Sequence, residues 1–404
     1  MNERLQSLRL KALAVGIVGT GATIASWFVI GPDQFFQSWL AGFMYVFAFA
    51  SGGLGLLMIH HLASGRWSFC LQRPYEAAAR TFPLILVLFI PIAFGMDRLY
   101  AWVNPAKHHD HVLEHVMQHK GMYLNLPWFF IRTGIYFAIW IGLTWLLTTW
   151  SALQDARPAE RELYGRKMRM LSGIGLVIFG LAVTFAAFDW AMSVEPKWYS
   201  SIYGAIMMVG QGVSTLCLMA IVARILSADS RYGSVIGVQQ FHDIGNMIFA
   251  FTILWTYMNV SQLVIIWSGN LPEEIEYYAH RSHAPWTQIA AGLAVFHFFI
   301  PFGLMLFKAV KKNARTLSWI AGGLLVMRFV DYFWTLMPAF RHEHFHISWA
   351  DLAAPIGMFG LWLFVFLGNL QKRPLLPLND PRFAHILAHP EEHDTGWEAD
   401  ASDA

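Results

Sequence analysis

The sequence predicts an all-α integral membrane protein of about ten transmembrane helices, and three observations predict it. Of 404 residues, 56% are hydrophobic and only 13% are charged, where a soluble domain carries roughly 25% charged residues. Mean hydropathy is +0.44. Ten segments reach the length of about 20 mainly apolar residues that a helix needs to cross a hydrocarbon core of roughly 30 Å.

The segments are justified in order. The first, 10–31, follows a short basic start with Arg4, Arg9 and Lys11. Its apolar run is too long for a signal-peptide core and lacks a small-x-small cleavage site, so it reads as a retained helix. The second, 37–63, ends on His60-His61, and the third, 79–102, contains Asp97-Arg98 near its end. The fourth, 126–152, encloses Arg132. The fifth, 168–194, ends in "FAAFDWAMSVEPKWYSS", which sets Asp189 about one turn inside and Glu195 at the interface. The sixth is 199–226. The seventh, 236–268, carries "HDIGN" (His242 to Asn246) and then 21 residues without a charge. The eighth, 284–309, holds His297 in "AVFHFFIPF". The ninth, 316–340, has Arg328 and Asp331 at i,i+3, and the tenth is 350–370. One polytopic domain over 1–370 is expected, followed by a tail over 371–404. The tail closes with Glu391, Glu392, Asp394, Glu398, Asp400 and Asp403 and reads as a solvated acidic end, with docking as the second reading.

Cys70 and Cys217 have no CxxC partner, which argues against an iron–sulfur or zinc site or a disulfide framework within the chain. Lysine and arginine set the expected orientation: 20 lie on the side of the termini, 6 on the other, and Arg132 and Arg328 inside spans. Positive charge stays in the cytoplasm, so both termini are expected there.

Ionisable groups inside spans are costly and are functional candidates by default. On the seventh helix Gln239, His242, Asp243, Asn246, Tyr257 and Ser261 fall on one stripe at 100° per residue. Such a face is expected to meet other helices or a water-filled path. It reads either as a proton path or as a polar seam between helices. Arg328 and Asp331 read most simply as an internal ion pair, and His297 as a packed core residue. Their expected depths form a ladder: His60, His61, His242 and Asp243 towards the inside, His297, Arg328 and Asp331 near the middle, and Asp97, Asp189 and Glu195 towards the outside. The outer loops are rich in histidine. "HHDHVLEHVMQHK" sets His111, His115 and His119 on one helical face, and "RHEHFHIS" adds His342, His344 and His346. Histidines at i,i+4 can bind zinc or copper, but a polar loop without metal is the favoured reading. His385, His389 and His393 repeat the spacing in the tail and read as an exposed amphipathic turn.

"FDWAMSVEPKWYSSIYG" (Phe188 to Gly204) and "FHDIGNMIFAFTILWTYMNVSQLVIIWSGNLPEEIEYYAHR" (Phe241 to Arg281) resemble the NrfD-like, polysulfide-reductase-chain-C-like membrane subunits of bacterial alternative complex III. The ten-helix plan extends the resemblance over nearly the whole chain, and the short loops match the shorter of that complex's two such subunits. The resemblance implies two four-helix bundles plus two extra helices. It implies membership of a quinol:cytochrome c or quinol:terminal oxidase oxidoreductase in the bacterial inner membrane, respiratory or photosynthetic. It implies a proton path on Asp97, Asp189, Glu195, His242, Asp243, Tyr257, Arg328 and Asp331, and no redox centre held by this chain. Haem c and iron–sulfur clusters would sit in partners: an iron–sulfur subunit, multi-haem cytochrome c subunits, a longer ten-helix relative and a terminal oxidase. Lipids are expected around it and nucleic acid is not. Quinol or menaquinol would be the small-molecule ligand, with His60, His61 and His297 as contacts for a head group.

Three rival readings stay open. A haem b cytochrome would use His60 or His61 with His242. An ion-coupled transporter would show a pair of interrupted helices, and the sequence suggests none. A purely structural subunit would tolerate Asp243→Asn and Asp331→Asn.

Overall fold

Backbone polar groups in a bilayer must be satisfied within the chain, which leaves helices and closed barrels as spanning structures. This chain forms helices. The computed structural model describes residues 2–63, 65–108, 111–233, 235–341, 345–377 and 379–380, and among them there is no strand. Ten long helical segments run α1 (Asn2–Val29), α2 (Pro32–Ala63), α3 (Gln72–Phe94), α4 (Leu126–Ala156) and α5 (Arg161–Trp190). They continue with α6 (Tyr203–Leu226), α7 (Val238–Gly269), α8 (Trp286–Met305), α9 (Ala314–Leu336) and α10 (Trp349–Gln371). Most of the expected tail lies outside the described residues, including His385, His389, His393 and its closing acids.

Among the described residues nine helices, all but α9, are long and apolar enough to cross a membrane. Of the ten expected spans, α9 alone falls short of that criterion. That helix is 23 residues long, but Arg328 and Asp331 dilute its hydropathy. The two side chains bond to each other, so the helix carries both into the interior.

Two helices form the centre. The apolar window of α2 is 94% buried and that of α6 is 78% buried, against 28% for α1, 28% for α7 and 22% for α8. A helix apolar on all sides belongs inside. The outer helices turn residues such as Phe28, Trp267 and Phe299 outwards, a surface suited to lipid. α2 contacts α3, α5, α6 and α10, and α6 contacts α5, α7 and α9. Trp190 of α5 is the hub of an aromatic core, meeting Phe43, Phe47, Phe89, Phe137 and Trp140.

α1 and α10 pack along each other through glycines. A Cβ added at Gly19 would lie 2.6 Å from the Cα of Gly357, and one at Gly360 would lie 2.5 Å from the backbone nitrogen of Gly16. Small residues that let two backbones touch are the usual seam between membrane helices. Gly19→Val is therefore expected to push α1 off α10 and cost about 1–3 kcal/mol. A melting temperature unchanged from wild type would rule out this seam.

Two helices are irregular, which the sequence reading did not anticipate. α3 breaks at Arg80–Thr81, between Gln72–Ala79 and Phe82–Phe94. Pro83 has no N–H to offer the carbonyl of Ala79. The Thr81 hydroxyl donates to the Ala78 carbonyl at 2.6 Å and accepts from the Trp362 indole at 2.8 Å. α8 passes through a π-helical turn at Ala294–Phe299 just before Pro301. π turns recur at functional sites, and this one carries His297. α3 also begins at Gln72, well before the expected 79. Gln72, Arg73 and Glu76 read as loop residues, but they are buried and bonded among themselves.

Candidate functional site

Charge buried in an apolar body must be paired and hydrogen-bonded, and the pairs define the site. In the first half of the chain α4 places Arg132 against Asp189 of α5. The Arg132 Nε donates to Asp189 Oδ2 and its Nη2 to Oδ1, each at 2.8 Å. The Tyr136 hydroxyl donates to the same Oδ2 at 2.8 Å. Arg132 Nη1 also donates to the Tyr123 carbonyl at 3.0 Å, and the guanidinium lies 3.9 Å from the centre of the Tyr123 ring. Two charge-assisted bonds in parallel fix the geometry of the pair.

In the second half α9 supplies both partners. Arg328 Nη1 donates to Asp331 Oδ2 at 2.8 Å, with both residues buried. The guanidinium lies 5.4 Å from the Trp255 ring of α7 and 5.1 Å from the Tyr332 ring, within cation–π range. It occupies the space left by Gly210 of α6, where a Cβ would stand 2.7 Å from Arg328 Cζ. His297 of α8 packs its ring on Trp255 with centroids 4.2 Å apart. Both His297 ring nitrogens, Arg328 Nε, the Trp255 indole nitrogen and the Thr252 hydroxyl are buried without a hydrogen-bond partner. Polar atoms gathered in this way give the interior of α6 to α9 a capacity for hydrogen bonds that the packing does not use.

A third cluster lies at the end of the body opposite the start of α1. Arg281 donates to Glu195 Oε1 at 3.1 Å, to the Tyr277 carbonyl at 2.6 Å and to the Thr335 carbonyl of α9 at 2.6 Å. Its guanidinium lies 3.5 Å from the centre of the Tyr277 ring, and Trp198 stacks on Tyr277 at 4.1 Å. Glu195, Trp198 and Tyr277 border a cavity of about 240 Å³. Burial pushes the Tyr277 phenol above its ordinary range, with Arg281 lowering it and Glu195 raising it. Burial likewise holds Lys120 below the usual lysine range.

Two further clusters tie helices together. Asp351 at the start of α10 accepts from Arg341, Gln34, Ser38 and the Ser348 backbone, tying α10 to α2. At the other end Glu76 binds Arg73 at 2.9 Å, Arg373 at 3.1 Å and the Ser151 hydroxyl at 2.6 Å. Arg373, just beyond α10, thereby holds the chain onto α3 and α4.

The residues singled out in the sequence scatter among these clusters. Asp189, Arg328, Asp331 and Glu195 sit in the buried pairs just described. Asp97 lies beyond α3, in the short helix Met96–Leu99, and meets Lys107 at 3.6 Å as a half-exposed pair. His60 is buried with Nδ1 2.6 Å from the Ser68 hydroxyl, and His61 with Nδ1 3.0 Å from the Ser172 hydroxyl. His242 and Asp243 are partly buried. Asn246 approaches His242 Nδ1 at 3.4 Å, and Gln239 donates to Asp243 Oδ1 at 3.1 Å.

Of the α7 stripe, Gln239, His242, Asp243, Asn246 and Ser261 are partly buried, while Tyr257 is 67% exposed; the fully buried face carries Ile244, Gly245, Ile248, Thr252, Trp255 and Gln262. At Gly245 the missing side chain lets α7 approach the Lys311 stem and Leu317 closely, since an added Cβ would lie 3.0 Å from Lys311 Cβ.

Among the described residues no group of three His, Cys, Asp or Glu is arranged to hold a metal ion. His115 and His119 lie together on the short helix His111–Lys120, with ring centroids 5.1 Å apart. His346 approaches Gln34 Oε1 at 2.9 Å, while His342 and His344 lie outside the described residues.

No protein-family model matches the chain, and no curated protein matches it significantly.

Sequence reasoning missed the partners. Arg132 was visible as a charge inside a span, and its complement Asp189 sat in the next one, but nothing in their spacing joined them. His280 and Glu276 read as ordinary loop residues. Their only signal was their place four apart in the charged turn that follows α7.

Proposed function

We propose that this chain is a membrane subunit of a quinol-oxidising electron-transfer complex of the alternative complex III type, and that it supplies an intramembrane proton path without a redox centre of its own. The observation that carries the reading is the burial of the carboxylates Asp189 and Asp331 inside an apolar helical body. Glu195 extends the series at the end opposite the start of α1. Buried carboxylates beside tyrosines and arginines are groups that can exchange protons while remaining shielded from bulk water. The long motifs around Phe188 and Phe241 support the family. The packing of α2 with α3 and α5, and of α6 with α7 and α9, supports two four-helix bundles with α1 and α10 as the extra pair.

In this reading the chain lies in the bacterial inner membrane with both termini in the cytoplasm. Its partners are an iron–sulfur subunit, multi-haem cytochrome c subunits and a longer ten-helix relative, with a terminal oxidase as the acceptor in some assemblies. The iron–sulfur and haem groups belong to those partners. Menaquinol or another quinol is the electron donor.

Two measurements test the reading. Purified through a tag in mild detergent, the chain is expected to bring with it a multi-haem cytochrome c and an iron–sulfur subunit. Recovery of the chain alone would remove the main support. In the purified assembly, Asp331→Asn is expected to lower the melting temperature, since Arg328 loses its buried carboxylate, and, at a temperature where the variant is still folded, to slow quinol-driven proton release by about a hundredfold. Release at the wild-type rate would return the purely structural reading to the front.

A further inference from the structure

The cavity beside Glu195 is bordered by a row of groups, of which the sequence singled out Glu195 but not His280, Glu276 or Lys197. His280 stands between two carboxylates. Its Nδ1 lies 3.6 Å from Glu195 Oε1, and its Nε2 lies 3.8 Å from Glu276 Oε1. Side-chain exposure rises along the row, from 12% at Glu195 to 25% at His280 and 33% at Glu276. Lys197 stands at the outer end, with Nζ 3.6 Å from Glu276 Oε1. At the inner end Arg281 fixes Glu195 and reaches the Thr335 carbonyl, one turn along α9 from Asp331. The charged groups facing His280 are thus Glu195, Glu276 and, through them, Arg281 and Lys197. The cavity of about 240 Å³ borders all three members of the row.

We propose that His280 is a two-port shuttle that hands protons from Glu195 to Glu276 and so to the aqueous surface; this rests on the proton-path reading. A proton on Glu195 moves to Nδ1 of the neutral ring while the proton on Nε2 moves to the Glu276 carboxylate. Glu276 then gives its proton to water. Glu195 is left ionised, Glu276 returns to its ionised form, and the ring is left in the other tautomer. Exchange with water entering the cavity restores it, one proton being added at Nε2 and one removed from Nδ1 with no net change in proton count. Imidazole is the side chain that donates from one nitrogen and accepts at the other near neutral pH.

The test uses the purified assembly in liposomes, with a reduced menaquinol analogue as donor and soluble cytochrome c as acceptor. Proton release is followed with a pH-sensitive dye and folding by the melting temperature. His280→Ala is expected to slow release by about a hundredfold, and added imidazole to restore it in a saturable way, because the enlarged cavity admits the free ring. His280→Gln, which keeps hydrogen bonding but cannot relay a proton, is expected to be as slow as His280→Ala. Unchanged release in His280→Ala, with release lost in Asp331→Asn, overturns the shuttle and leaves the proton path standing. Slow release in a folded His280→Ala protein that imidazole does not restore assigns His280 a structural role and also overturns the shuttle. Unchanged release in both variants, or no quinol-driven release by the wild-type assembly, overturns the underlying reading itself.

Discussion

Arg132→Leu is expected to destabilise the protein by about 3–5 kcal/mol, the cost of stripping a buried charge of its partner. Asp189 is fully buried and receives three side-chain bonds, two from Arg132 and one from Tyr136. With the guanidinium gone, Tyr136 alone faces an ionised carboxylate in an apolar core. The double variant Arg132→Leu/Asp189→Leu is expected to recover most of the loss, since a buried pair replaced by apolar residues is often neutral or better. The coupling between the two positions is then the quantity that a double-mutant cycle reads. Cys70 and Cys217 are both buried free thiols, so the rate of thiol labelling on heating reports unfolding directly. If Arg132→Leu melts with the wild type, or if the double variant is no better than the single, the pair is not what holds α4 to α5.

The second large effect is expected from Gly210→Val, a residue that bears no charge and touches no ligand. A Cβ at this position would overlap the Arg328 guanidinium. Arg328 would have to leave its place above Trp255 and Tyr332, and Asp331 would lose the 2.8 Å bond. The loss combines overpacking with a broken buried pair and should reach about 3–5 kcal/mol. Proton release should fall with it. Gly322→Ala on α9 is the control: a Cβ there meets nothing within 4 Å, and helix propensity favours alanine by about 1 kcal/mol. Equal melting of the two variants would mean that Gly210 does not make room for Arg328.

The helices were largely legible because a bilayer leaves the backbone so few solutions. Apolar length alone placed α2, α4, α6, α7, α8 and α10 to within a few residues. The misses have a common cause. Gln72, Arg73 and Glu76 read as loop because a charged residue in isolation belongs in water, whereas these three satisfy one another and extend α3. The α9 helix falls short of the apolar criterion for the same reason. Irregular points in α3 and α8 follow from Pro83 and Pro301, and each proline was visible. What the sequence lacked was the identity of the side chain that closes each gap. Within the site, Asp189, Glu195, Arg328 and Asp331 were legible because ionisable groups in apolar runs stand out. On the α7 stripe only Tyr257 turns outwards, because periodicity gives the angle between residues but not which side of the helix meets its neighbours.

The sequence by itself determined that this chain is helical and built for a membrane, and it determined which carboxylates would be costly enough to demand partners. Those conclusions need only local composition and the free energy of burying charge. Tertiary structure alone decided who the partners are. It set Arg132 against Asp189, seated Arg328 over Gly210, turned Tyr257 outwards and brought His280 between Glu195 and Glu276. Each depends on how helices distant in sequence rotate and approach, which is fixed by close-packed glycines and aromatic rings across several interfaces at once.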